Sequence, residues 1–190
     1  MSTLEVGTIA PISGSNDVTL GGSSKNIKFA SGTTVDFSTN TPTTTLGSTM
    51  KNTPAFHVTR SGNQSISNDA TTKIQWNNEI LDSDNAFDSS TNYRFTPQVS
   101  GQYYLCMHTR LNTGSDFENN YHAIRKNGSD VVQSYFKQVY YNGVECSTIV
   151  SLNGSSDYVE FFIYQEAGSS VDLDSNNQNT YAYGYRLIGA

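Results

Sequence analysis

Apolar residues along this chain come in short alternating runs, and the runs change character near residue 50. From Pro54 onward the period is two. Ala55-Phe56-His57-Val58 reads as a first strand, Gln64 to Ser67 as a short second one, and Thr72 to Trp76 alternates so that Ile74 and Trp76 share one face while Lys73 and Gln75 share the other. Asn77 to Thr91 is polar around Ile80-Leu81 and Phe87, which predicts a long loop with an edge-strand piece, long enough to suggest a use. Tyr93 to Leu105 predicts a corner. Phe95 carries one apolar pulse, Pro97 removes a backbone donor, and Ser100-Gly101 supplies the turn. Beyond it Tyr103, Leu105, Met107 and Thr109 fall on one face, and Tyr104, Cys106, His108 and Arg110 on the other. Both faces are apolar near the start, so this strand is expected to be central or covered by a neighbouring subunit. Asn-Gly pairs at 127–128, 142–143 and 153–154 stand between apolar runs and predict three hairpins. In the closing run, Tyr181, Tyr183 and Tyr185 line one face, and Ala182 and Gly184 keep the other thin. No amphipathic helical window exists, and so many short strands with regular turn signals imply an all-β sandwich or barrel.

Residues 1–50 are different in kind. Half of them are Ser, Thr or Gly, and Phe29 and Phe37 are their only aromatics. A short period nevertheless runs through them: Val18-x-Leu20, Ile27-x-Phe29 and Val35-x-Phe37, separated by turn residues. Pairs this small give a single chain too little to bury, whereas three copies wound about one axis bury them together. The expectation is a thin β-rich fibrous or extended stem, anchoring at its Leu4, Val6, Ile9 and Ile12 end and leading through a Thr- and Pro-containing linker to a head spanning residues 51–190. The alternative is a flexible tail.

Composition narrows the function. Mean hydropathy is -0.48, yet twelve Tyr and nine Phe bring aromatics to 12%, so the core must be aromatic and β-branched. The net charge of -6 and the absence of any basic run longer than Arg125-Lys126 exclude a nucleic-acid footprint. No segment approaches the roughly 18 apolar residues of a membrane span, and the first twenty residues lack the basic and apolar parts of a secretion signal. The expected product is soluble, made in a cytoplasm and not inserted in a membrane. Cys106 and Cys146 sit inside apolar strand patterns, which suits buried reduced thiols, with one inter-strand disulfide as the alternative. His57, His108 and His122 lack zinc spacing, and neither a nucleophile elbow nor a P-loop occurs, so no enzyme is expected. Asp82, Asp84 and Asp88, and separately Asp172 and Asp174, have the short-spaced oxygen-rich look that calcium accepts, against the simpler reading of Asx turns in solvated loops.

The stretch Phe95-Thr-Pro-Gln-Val-Ser-Gly-Gln-Tyr-Tyr-Leu105 resembles the corner signature of C1q heads and their tumour-necrosis-factor-like relatives. The likeness extends to Pro54-Ala55-Phe56, to Ile124–Val132, to Leu152–Phe161 (with a longer turn at Ser155-Ser156-Asp157) and to Tyr181–Ile188, about residues 54–190 in all. The resemblance implies a jelly-roll sandwich that assembles as a homotrimer, in some members with calcium near the apex. There is no Gly-x-y repeat, so the stem is not collagen. A Ser/Thr/Gly-rich stem under such a head is similar in layout to virion fibre or decoration proteins of tailed, especially marine, bacteriophages. That layout implies a protein of the virion surface, assembled in the host cytoplasm, with residues 1–50 bound to other virion proteins and a head presented to a host-surface glycan or protein. Tyrosine, with an apolar body and a polar tip, suits subunit contacts. Tyr104, Tyr140, Tyr181, Tyr183 and Tyr185 are the candidates for the threefold interface.

Overall fold

The computed structural model describes residues 51–113, 117–138 and 143–188, so the expected stem, residues 1–50, and Tyr140 lie outside the described residues. Thirteen strands follow in chain order among the described residues: β1 (Ala55–Thr59), β2 (Gln64–Ile66), β3 (Thr72–Lys73), β4 (Asn78–Asp82), β5 (Phe87–Asp88), β6 (Arg94–Phe95), β7 (Gly101–Asn112), β8 (Phe117–Lys126), β9 (Ser129–Gln138), β10 (Gly143–Leu152), β11 (Val159–Tyr164), β12 (Val171–Leu173) and β13 (Tyr181–Arg186). They form two antiparallel sheets. The first runs β2-β12-β7-β13-β1-β4, with β10 on the other flank of β7; the second runs β5-β6-β11-β8-β9, with β3 also on β11. Sequence neighbours change sheets repeatedly, and this makes the sandwich a jelly roll.

Strand β7 is the spine of the first sheet. It pairs with β10 over Gly101–Arg110, with β13 over Tyr103–His108 and with β12 at Leu111–Asn112. Its pleat sends Tyr103, Leu105, Met107, Thr109 and Leu111 into the space between the sheets, where all are buried. Phe56 is the hub of that space, with ring centroids 4.6 Å from Phe95, 5.0 Å from Phe87 and 6.1 Å from Phe161; Trp76 meets Phe161 edge-on at 6.4 Å. Each such ring contributes about 1.5–3 kcal/mol by leaving water.

The corner before β7 forms as the sequence indicates. Tyr103 is buried, packs edge-on against Phe95 at 5.6 Å and donates its hydroxyl to the Val99 carbonyl at 2.6 Å, tying the turn to the strand that leaves it. Burial pushes that phenol up to about 12. Lying against the same corner is the 153–158 loop. There Asn153 Oδ1 accepts the amides of Ser155, Ser156 and Asp157, and the Asp157 carboxylate takes Asn127 Nδ2, the Asn153 amide and Lys126 Nζ. Those donors, Lys126 and Asn127 foremost, hold the Asp157 carboxyl below its usual range.

Of the three expected hairpins, only Asn127-Gly128 is one, joining β8 to β9 with φ of 51° and 82°. The run after Asn142-Gly143 becomes β10, which pairs with β7 in the first sheet although β9 belongs to the second. Asn153-Gly154 likewise carries the chain from β10 in the first sheet to β11 in the second. Gly154 has φ +71°, and a crossover uses that conformation as readily as a hairpin does; Asn142 lies outside the described residues. The two cysteines are free and buried. Cys106 pairs with Ser147, and Cys146 with Met107, so the thiols stand on opposite faces of adjacent strands and cannot bridge.

His122, on β8, is fully buried; its Nε2 shares a 2.7 Å hydrogen bond with Thr109 Oγ1 of β7, linking the sheets, and Phe136 packs on its ring at 4.8 Å. Desolvation, with His108 adding to it, pulls the ring down to about 3, so it is neutral in the fold.

Two outcomes follow. Gly154 has φ +71°, and a Cβ there would run into the Val99–Ser100 backbone; Gly154→Ala is expected to cost about 2 kcal/mol or more in urea unfolding. Unfolded His122 takes a proton near pH 6.5 whereas the folded ring does so only near 3. Its stabilising contribution is therefore complete above about 6.5 and is lost as pH falls toward 3, with a slope approaching about 1.4 kcal/mol per pH unit. Unfolding measured from pH 6.5 to 4.5 should show that loss, and His122→Gln should flatten it.

Candidate functional site

Four of the sequence candidates converge on the outer face of the first sheet. Strand β13 reads Tyr-Ala-Tyr-Gly-Tyr, and the pleat turns its small residues inward and its tyrosines outward. Gly184 is required there: a Cβ would lie 2.7 Å from both Leu105 Cδ2 and Phe56 Cε1. The thin inner side lets β13 sit between β7 and β1 without lifting the sheet off its core.

Register then builds the outer face row by row. Tyr185 stands beside Tyr104 on β7 and Ala55 on β1; Tyr183 beside Cys106 and His57; Tyr181 beside His108 and Thr59. The rings touch across strands. Tyr104 lies 5.6 Å from Tyr185 and 6.3 Å from Tyr183, Tyr181 stacks on His108 at 5.3 Å and on Tyr183 at 6.1 Å, and His57 meets Tyr181 edge-on. A concavity of about 520 Å³ opens among Ala55, His57, Leu81, Tyr181, Tyr183 and Tyr185. Leu81 on β4 and Ile149 on β10, opposite Tyr104, are 50% and 59% exposed and extend the apolar surface to both flanks. Every tyrosine of the face is only half-buried in one chain, so aromatic area remains here for a partner to cover.

The face offers little chemistry of its own. Burial pushes the Cys106 thiol up to about 11, and its contact with Cys106 raises the Tyr183 phenol. Burial likewise pushes Cys146 up to about 11. A thiol held protonated is a poor nucleophile. His57 is pulled down by burial, toward the neutral ring.

The acidic candidates lie elsewhere, and four of the five have partners among the described residues. Asp82 accepts the amides of Ala86 and Phe87, at 3.0 and 2.9 Å. Asp88 accepts the amides of Ser90, Thr91 and Asn92 together with Asn92 Nδ2, which hold its carboxyl well below the usual range. Asp84 accepts the Ser83 hydroxyl, Asp174 pairs with Arg110, and Asp172 is exposed on β12. Among the described residues no three His, Cys, Asp or Glu side chains gather as a metal would need. Asp82, Asp88 and Asp174 serve backbone amides of their own loops in the manner of Asx turns.

Sequence reasoning passed over a second aromatic group. On the outer face of the second sheet Tyr164, Tyr121 and Tyr135 stand side by side on β11, β8 and β9. A straight count back from the Asn127-Gly128 turn pairs Tyr121 with Ser134. A bulge between Ile124 and Arg125 shifts the register by one and brings Tyr135 opposite Tyr121.

No protein-family model matches the chain, and no curated protein matches it. Solved structures do. Murine APRIL aligns with a TM-score of 0.53 at 12% identity, over 70% of this chain and 98% of that one. The vertex protein P5 of PRD1 aligns at 0.52 and 16% identity, covering 70% and 96%, and Eiger TNF from S. frugiperda at 0.50 and 11%, covering 72% and 93%. The described part of this chain thus has an all-β jelly-roll fold, shared with APRIL, Eiger TNF and the P5 vertex protein.

Proposed function

We propose that the chain is a non-enzymatic phage virion protein: a homotrimeric short fibre, or a capsid or neck decoration. In this reading residues 1–50 anchor it to other virion proteins, and its jelly-roll head faces outward to attach to a host surface or to stabilise the shell. The observation that carries the reading is the half-buried row Tyr104, Tyr181, Tyr183 and Tyr185 with its flanking concavity. A contiguous exposed aromatic face of this kind marks an interaction surface, and three heads about one axis would cover it and extend the threefold winding proposed for the stem. The fold likeness to the vertex protein of phage PRD1 supports a virion setting. The likeness to Eiger TNF and APRIL favours the second reading, a cellular or secreted C1q-like ligand or carbohydrate-binding module with no virion role.

Sedimentation of the full chain at micromolar concentration is expected to give a trimer, and Tyr185→Asp combined with Tyr104→Asp, which set charges in the covered face, to give monomers. A wild-type monomer contradicts the interface. Quantitative mass spectrometry of purified virions separates the two settings. Hundreds of copies per particle indicate decoration, a few tens at most indicate a fibre, and absence from particles leaves the cellular module.

A further inference from the structure

The outer face of the second sheet carries a tyrosine ladder that the interface reading does not use. Tyr121 and Tyr164 are parallel within 6° at 5.0 Å, and Tyr135, at the edge strand, leans away at 48° with its centroid 5.2 Å from Tyr121. Tyr135 is 70% exposed, more than any other large hydrophobic side chain described. All three phenols are pinned at their tips. Tyr164 donates to Asp69 Oδ1 at 2.6 Å, Tyr121 shares a hydrogen bond with Thr71 Oγ1, and Tyr135 donates to Gln133 Oε1 at 3.1 Å while Gln133 Nε2 donates to Asp130. Rings held this way lose little further freedom when something stacks on them. Beside Tyr135 lies a cavity of about 280 Å³ lined by Asn119, Asn120, Tyr135, Phe136 and Lys137, an aromatic wall with amide and ammonium groups around it.

The surrounding charges narrow the occupant. Arg125 is bound to Asp130 at 2.6 Å and lies over Phe162 at 4.2 Å, Lys73 is bound to Glu160 at 2.6 Å, and Asn119 Nδ2 donates to Glu166 at 2.7 Å. Arg125 and Lys73 are thus matched by carboxylates, Lys137 adds its ammonium to the cavity rim, and the whole chain carries -6, so a polyanion gains little attraction here. A protein partner would meet one narrow aromatic strip edged by ion pairs. A neutral sugar chain meets a π face for the C–H side of a pyranose and, at the cavity rim, the exposed Asn119 amide and Lys137 ammonium as polar groups for its hydroxyls.

We infer that the Tyr135 platform and the adjoining Asn119–Lys137 cavity form a binding site for neutral β-linked gluco-configured glycans. Equatorial substituents leave such sugars a flat C–H face. The site belongs to a single head and stands whether or not heads trimerise. If they do so through the first sheet, the platform faces outward, which names the ligand class for host-surface attachment.

Calorimetric titration of the full chain with cellohexaose and with N-acetylchitohexaose tests this, alongside an oligogalacturonate hexamer and a ten-residue oligothymidylate. At least one neutral hexaose is expected to bind with Kd of about 1 mM or tighter. Tyr135→Ala should weaken it tenfold or more and Tyr135→Trp should retain it, with sedimentation unchanged in both variants, so that loss of binding is distinct from loss of assembly. Failure of both neutral hexaoses to bind below 10 mM, tighter binding of either anionic probe, or an unaltered Kd in Tyr135→Ala overturns the assignment.

Discussion

The pleat of β7 is the constraint on which the rest of this structure depends. Twelve consecutive residues alternate between the space inside the sandwich and the surface outside it, and three strands take their register from them. Inward, Tyr103, Leu105, Met107 and Leu111 set the depth of the core, and Phe56 and Phe95 complete it. Outward, Tyr104 and His108 define the lines on which the β13 tyrosines stand. A shift of one residue in β7 would send every one of these side chains to the wrong face.

Tyrosine is the chain's main material, and the two sheets use it for three purposes. Tyr103 is a core residue whose hydroxyl reaches a corner carbonyl. Tyr104 of β7 and the β13 tyrosines form a contiguous half-buried surface. The β8, β9 and β11 tyrosines form a narrow ladder whose tips are hydrogen-bonded and whose last ring projects. One residue type serves all three because its body gains from burial while its tip stays satisfied by carbonyl, carboxylate, amide or water.

The polar loops complement this plan. Asp82, Asp88, Asn153 and Asp157 each collect several backbone or side-chain donors, fixing long connections that contain little hydrophobic surface. Spacing alone marks Asp82 and Asp88 as oxygen-rich, and it does not reveal that their oxygens accept amides of their own loops. Carboxylates serving amides and carboxylates serving an ion share one sequence pattern.

Much of the head was legible before any coordinates. Period two in residues 101–112, the Pro97-to-Gly101 corner and the Tyr-x-Tyr-x-Tyr ending determine a sandwich with a central buried strand and a tyrosine face, because alternation is a local property of the extended chain. The grouping of Tyr104 with Tyr181, Tyr183 and Tyr185 rested on the same property, since strands that pair bring like faces together. What lay beyond the sequence was pairing across distance. Whether Asn142-Gly143 and Asn153-Gly154 close hairpins or carry the chain between sheets depends on which partner buries β10 best, and that partner, β7, begins about forty residues away. Whether Tyr135 meets Tyr121 depends on a single bulge, and whether Cys146 can reach Cys106 depends on a register set by ten paired residues. Local chemistry determined the strands and their faces; only the packing of the whole head decided which strands are neighbours.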